Sequence, residues 1–252
     1  MSLEGNVEYA LARVQCQYGN RLDTGEWRRL EASHDLGQYL EAARGSIFGP
    51  WVSSLDRSRE AHVIERALRG AWRNYVGTVA AWHPRAWQPW LTWLEWLPTL
   101  GLIALLKRAG PTPAWLLADP ILGPAARRAS GERPVAVNGT ALTSFEPAIA
   151  GQIPLAALWL AHWRELRPPV DAFTEQLLAR VSKSVQEHAQ ALVLEGADAV
   201  ALREQLCERL SKLFRAAAGT LVATLCHLAL MFLDFERLRG GLVNRSLFAR
   251  GK

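Results

Sequence analysis

The run Ile64-Glu-Arg-Ala-Leu-Arg-Gly-Ala-Trp-Arg-Asn-Tyr-Val-Gly-Thr-Val-Ala-Ala-Trp82 decides the fold class. Its Ile64, Leu68, Ala71, Trp72, Tyr75, Val79 and Trp82 return every three or four positions, the period of one helix face. Counted from about Ser58 it is the longest periodic segment of the chain, and at 1.5 Å rise per residue it would span roughly 35–40 Å. Strand-like alternation never lasts more than a few residues; Pro134-Val-Ala-Val137 is its best candidate. The expected fold class is all-α, a multi-helix protein of pseudo-repeated helical lobes.

Toward the N-terminus the helical signals continue. Val7, Leu11, Val14 and Tyr18 mark one face of a first helix. Asp23, with Glu26 three residues later, forms a capping-box start before Trp27 and Leu30. Ser33 is placed to cap the next helix, with Leu36, Leu40 and Ala43 inward, until Gly45 and Gly49-Pro50 stop it.

Toward the C-terminus, five tryptophans lie between Trp82 and Trp96, and Trp87, Trp90, Trp93 and Trp96 fall on every third position. Pro84 and Pro89 suit helix first turns, so helices are expected near 89–97 and 99–108. On an α-helix a three-residue step turns about 60° short of a full circle. One neighbour cannot cover all four indoles. The end residues, Trp87 and Trp96, are therefore candidates for a partner-facing surface, the alternative for the whole ladder being ordinary core.

Gly110-Pro-Thr-Pro113 breaks the pattern, and residues 127–151 read as a loop or linker. Helices resume on Leu155, Leu158, Trp159, His162, Trp163 and Leu166. The next places Phe173, Leu177, Val181, Val185, His188 and Leu192 inward. Another, from about Asp198 to Phe214, uses Leu202, Leu206, Leu210 and Leu213. The last runs from near Ala217 to Arg239, where Gly240-Gly241 is expected to end it. This divides the chain into an N-terminal helical lobe, 1–110, and a C-terminal one, 111–252. A shift of 139 positions places Glu65 on Glu204, Tyr75 on Phe214, Glu95 on Asp234 and Trp96 on Phe235, a faint internal repeat.

Composition narrows the classes. The 29 Lys and Arg and 24 Asp and Glu are interspersed with no basic block, so nucleic acid is not an expected partner. Three scattered cysteines, Cys16, Cys207 and Cys226, fit a reducing compartment rather than a disulfide framework. Glu4 and Glu8 at the start argue against a secretory signal. Ala216–Leu233 carries no formal charge but includes Gly219, Thr220, Thr224 and His227, so it reads as a buried helix rather than a span.

Recognisable reaction chemistry is absent. No phosphate-binding glycine loop, no G-x-S-x-G elbow and no H-E-x-x-H occurs. His162 and Glu165 share a helix face, yet the second pair that a di-metal bundle needs is missing. No catalytic residue, metal, cofactor or small-molecule ligand is expected.

Two segments at opposite ends carry a resemblance. Tyr9-Ala-Leu-Ala-Arg13, with Arg21-Leu22, Trp27, Leu30, Leu36 and Leu40, is similar to the first helices of the C subunit of archaeal and bacterial A/V-type rotary ATPases, called subunit d in eukaryotes. Asp234-Phe-Glu-Arg-Leu-Arg239 with Gly240-Gly-Leu242 resembles that family's last helix. The long helix led by Glu65, followed by Glu95-Trp96, also suits its repeated lobe, and residues 110–150 are unmatched. The resemblance implies a non-catalytic, funnel-like or partly closed helical protein. Such a subunit couples the central stalk to the membrane rotor ring of a proton- or sodium-translocating enzyme, from the cytoplasm and peripheral on the inner face of the cell membrane. The family has three lobes; two are found here. Arg237 and Arg239 are candidate partner-binding residues, with pairing to Asp234 and Glu236 within the chain as the alternative. The competing reading is a helical scaffold or protein-interaction module unrelated to the ATPase.

Overall fold

The computed structural model of the chain describes residues 7–57, 60–106, 112–128, 137 and 139–248. Every element among them is helical, α or 3-10. The first arm holds α1 (Val7–Gly19), α2 (Thr24–Glu31), α3 (Leu36–Arg44), α4 (Gly49–Val52) and α5 (Ala61–Ala81). A 3-10 turn, Arg85–Trp87, leads into α6 (Gln88–Thr92). The middle of the chain follows as a 3-10 segment, Trp93–Thr99, then α7 (Leu100–Leu105), α8 (Ala114–Leu117), α9 (Gly123–Arg128), α10 (Glu146–Ile149) and α11 (Leu155–Glu165). Three long helices complete the chain: α12 (Ala172–Leu192), α13 (Ala199–Ala216) and α14 (Leu221–Phe248).

Local chemistry explains several boundaries. The expected capping box is present at α2: Asp23 accepts from Glu26 N–H at 2.7 Å, and Glu26 accepts from Asp23 N–H at 2.8 Å. Asp35 rather than Ser33 caps α3, accepting from Gln38 N–H at 2.9 Å. Residues 107–111, 129–136 and 138 lie outside the described residues, and with them most of the strand candidate 134–137. What is described of 127–151 is not wholly loop. It holds the 3-10 turn Thr143–Phe145 and α10, with Val137, Leu142, Phe145, Ala148 and Ile149 buried.

The chain separates into two compact units, Met1–Leu91 with Pro168–Lys252, and Thr92–Arg167. This differs from two consecutive lobes, 1–110 and 111–252. The physical reason is α14, which packs against α13, α5, α1, α3 and α12 and so ties both chain ends into one body. In sequence, the second unit is a contiguous stretch between the two parts of the first. Its core gathers Trp93, Trp96, Ile103, Leu116, Leu122, Phe145 and Ile149.

Gly240-Gly241 does not end the last helix. α14 continues through both glycines to Phe248. Tyr39 is fully buried against this point, and a Cβ on Gly241 would stand 2.3 Å from its hydroxyl oxygen. The glycine therefore serves close packing, not termination. The proposed repeat also pairs unlike structures: Glu95-Trp96 sits in the 3-10 segment, while Asp234-Phe235 lies inside a 28-residue α-helix.

The stripe expected to face inward along α12 is only half covered. Leu177 and Val181 are buried, but Phe173, Val185 and Leu192 are exposed. No side chain from 182 to 205 is buried. Periodicity identifies a face, but nothing in it shows where the neighbouring helix stops. Among the described residues no helix is long and apolar enough to cross a membrane.

Candidate functional site

Within the first unit, the inner face of α14 carries a line of buried polar groups: Thr224, His227 and Asp234. Each meets a partner from the other arm of the chain. Thr224 Oγ1 lies 3.1 Å from His83 Nε2, just after α5. The Tyr75 hydroxyl of α5 lies 2.6 Å from His227 Nε2. Arg21, between α1 and α2, donates from Nε to Asp234 Oδ2 at 2.8 Å.

Burial sets the charge states along this line. It holds His83 down at about 4. His227 is held at about 3, with the nearby Arg21 cation adding to the effect. Both rings are therefore neutral near pH 7, and the Nδ1 of each has no partner among the described residues. Burial pushes the Tyr75 hydroxyl up, so it keeps its proton. Asp234 is raised by desolvation, which Arg21, Arg237 and the Trp27 indole offset only in part. Burial also works against the charge on Arg21, but Asp234, with Cys207 and Tyr18 adding less, more than offsets it, so its affinity for the proton rises. The Cys207 thiol beside the pair is pushed up by burial and by Asp234.

Farther along α14 three arginines fasten the helix to its neighbours. Arg237 makes a bidentate pair with Glu31 of α2, both N–O distances 2.6 Å, and its guanidinium lies 4.6 Å from the Trp27 ring centroid. Arg239 donates to Glu65 of α5 at 3.1 Å and to Glu236 at 2.8 Å. Arg245 donates to the carbonyls of Ser33, Glu31 and Gly241 at 2.8–2.9 Å and covers the Tyr39 ring at 4.1 Å.

Each candidate from the sequence has a definite place. Arg237 and Arg239 are both engaged within the chain. The expected Glu236–Arg239 pairing is present, whereas Arg237 takes Glu31, not Asp234. Trp87 is half-buried and meets Trp90 edge-on, with centroids 5.8 Å apart. Trp96 is not exposed: it keeps 7% of its surface and packs edge-on to Phe145 at 5.1 Å. The reason is the change of helix type. From Trp93 to Thr99 the backbone is 3-10, and a three-residue step then returns to the same face, so Trp93 and Trp96 enter one core together. Trp93 stacks on Phe145 at 5.2 Å and donates from Nε1 to the Trp159 carbonyl at 3.1 Å. His162 lies edge-on to Trp93 at 4.4 Å and 3.3 Å from the Glu165 carboxylate.

Glu31, Tyr39 and Arg245 also belong to this arrangement, with no signal in the sequence around them. Each owes its role to a partner from the other arm of the chain, and no local pattern carries that information. What the arrangement does chemically is hold: paired charges, neutral histidines and stacked cations join α14 to α1, α2, α3 and α5. Comparison of the chain with protein-family models, with curated proteins and with solved structures gives no match.

Proposed function

We propose that the chain is a non-catalytic coupling subunit of an A/V-type rotary ATPase, set between the central stalk and the membrane rotor ring, cytoplasmic and peripheral on the inner face of the cell membrane. One observation carries the reading. The two segments that bear the resemblance, more than 190 positions apart in sequence, pack on one another: α1 lies against α14, and Arg21 of the opening segment pairs with Asp234 of the closing one. That contact supports reading the two segments together, as parts of one helical body.

The mechanical character of the site fits the role. A torque-transmitting adaptor needs rigid helix-to-helix joints. Charge-assisted, bidentate Arg–carboxylate contacts fix geometry more tightly than apolar contact alone. Under this reading the line from Arg21 to Arg245 is the spine that makes α14 move as one with α1, α2, α3 and α5, and Trp87, Arg237 and Arg239, each only partly buried, are the candidate partner contacts that keep exposed surface.

The test is co-purification from gently solubilised native membranes with an affinity tag on the chain. Recovery of central-stalk and ring subunits is the expected result. Recovery of the chain alone, or with unrelated proteins, would sink the ATPase reading and leave a helical interaction module.

A further inference from the structure

Helices α12 and α13 form an antiparallel hairpin whose outer half packs on little but itself. The last buried residue of α12 is Val181 and the first of α13 is Leu206, so the hairpin runs on for about 16 Å past the core at 1.5 Å per residue. Its tip is shaped by Gly196, in the left-handed region at φ 75°, and by Asp198, which caps α13 by accepting from Val200 and Ala201 N–H at 3.0 and 3.1 Å.

Loop tips are normally polar. This one presents Leu192, Val193, Leu194 and Val200, with Val193 82% and Leu194 66% exposed. Single exposed apolar residues need no explanation, but a cluster at a projecting tip marks a contact surface. The charges along this stretch are one-sided: residues 188–204 carry Glu195, Asp198 and Glu204 against a single Lys or Arg, Arg203. Neither Glu195 nor Glu204 has an ion-pair partner among the described residues. An apolar knob in an acidic collar is repelled by an anionic bilayer and complementary to a basic-rimmed socket on a protein.

We propose that the α12–α13 tip is a docking knob for a protein partner whose surface offers an apolar socket rimmed by Lys or Arg. The proposal does not depend on that partner being an ATPase subunit.

The test uses the full chain in its native cells with a photo-crosslinking phenylalanine placed at Val193, adducts being mapped by mass spectrometry. The expected adduct falls on apolar residues flanked by Lys or Arg. Val193→Asp with Leu194→Asp, both at exposed positions that leave the fold intact, should weaken binding to the purified partner about a hundredfold. Glu195→Lys should weaken it about tenfold and flatten its salt dependence. Absence of any protein adduct, an adduct on an acidic surface, or binding indifferent to the paired aspartates would overturn the proposal. So would flotation with phosphatidylglycerol vesicles that those aspartates abolish, which would make the tip a lipid contact. Rotary-ATPase subunits co-purifying while the Val193 adduct is absent would defeat this inference alone. A basic-socket adduct without those subunits would defeat only the ATPase reading.

Discussion

Asp234 is the most deeply buried carboxylate among the described residues of the first unit. It is almost wholly buried, and Arg21 is its direct ion-pair partner. Removing one member of such a pair strands the other without solvent. Arg21→Met alone should therefore cost about 3–5 kcal/mol, read as a lower denaturant midpoint. Arg21→Met with Asp234→Leu should recover much of that loss, because no charge is then left stranded. The histidines give a second prediction, whose sign follows from their depressed values. Below pH 6.5 the unfolded chain takes up protons that the folded chain refuses until about 4 for His83 and about 3 for His227. Their contribution is complete above pH 6.5 and falls as the pH drops, by about 1.4 kcal/mol per pH unit for each ring. Urea titrations between pH 4 and 6 should show that slope, reduced by one proton in His227→Phe. The sequence marked Arg21 and Asp234 as noteworthy, each through a local resemblance. That they touch was not legible, since an ion pair joining distant arms leaves no trace in either neighbourhood.

Among the elements, α14 and the tryptophan ladder show where periodicity informs and where it misleads. Gly240-Gly241 looks like a stop signal, yet the two glycines differ. Nothing lies within 4 Å of a Cβ at Gly240, so Gly240→Ala should stabilise by about 0.5–1 kcal/mol through helix propensity. Gly241→Ala would press on the Tyr39 ring and should destabilise by about 1–3 kcal/mol. Thermal melts of the two variants should move in opposite directions. For the ladder, a step of three walks round an α-helix of 3.6 residues per turn but stays on one face of a 3-10 segment, which Trp93–Thr99 is. Pro98 inside that segment, with no N–H to give, is the local hint. Acrylamide quenching checks the outcome: Trp87→Phe should lower the quenchable share of tryptophan emission, and Trp96→Phe should leave it nearly unchanged.

For the whole molecule, the helical class was legible because 3.6-residue periodicity runs through most of the chain. The division into units was not, because it depends on which helices α14 chooses as neighbours. Protection against amide exchange should follow the same geography. The α14 stretch from Val222 to Leu238, buried along much of its length, should exchange slowest. The outer hairpin, 182–205, should exchange fastest among the long helices. Equal protection in both would contradict the packing described.

The order of the units along the chain also sets a timetable. On the ribosome, α1 and Arg21 emerge long before Asp234, and at roughly 5–20 residues per second the wait is about 10–40 s. The contiguous segment Thr92–Arg167 can close its own core during that interval. The first five helices cannot: their apolar faces and the Arg21 guanidinium stay exposed until the last helix arrives. Newborn chains halted before α14 are thus the form in which this protein would most need a chaperone.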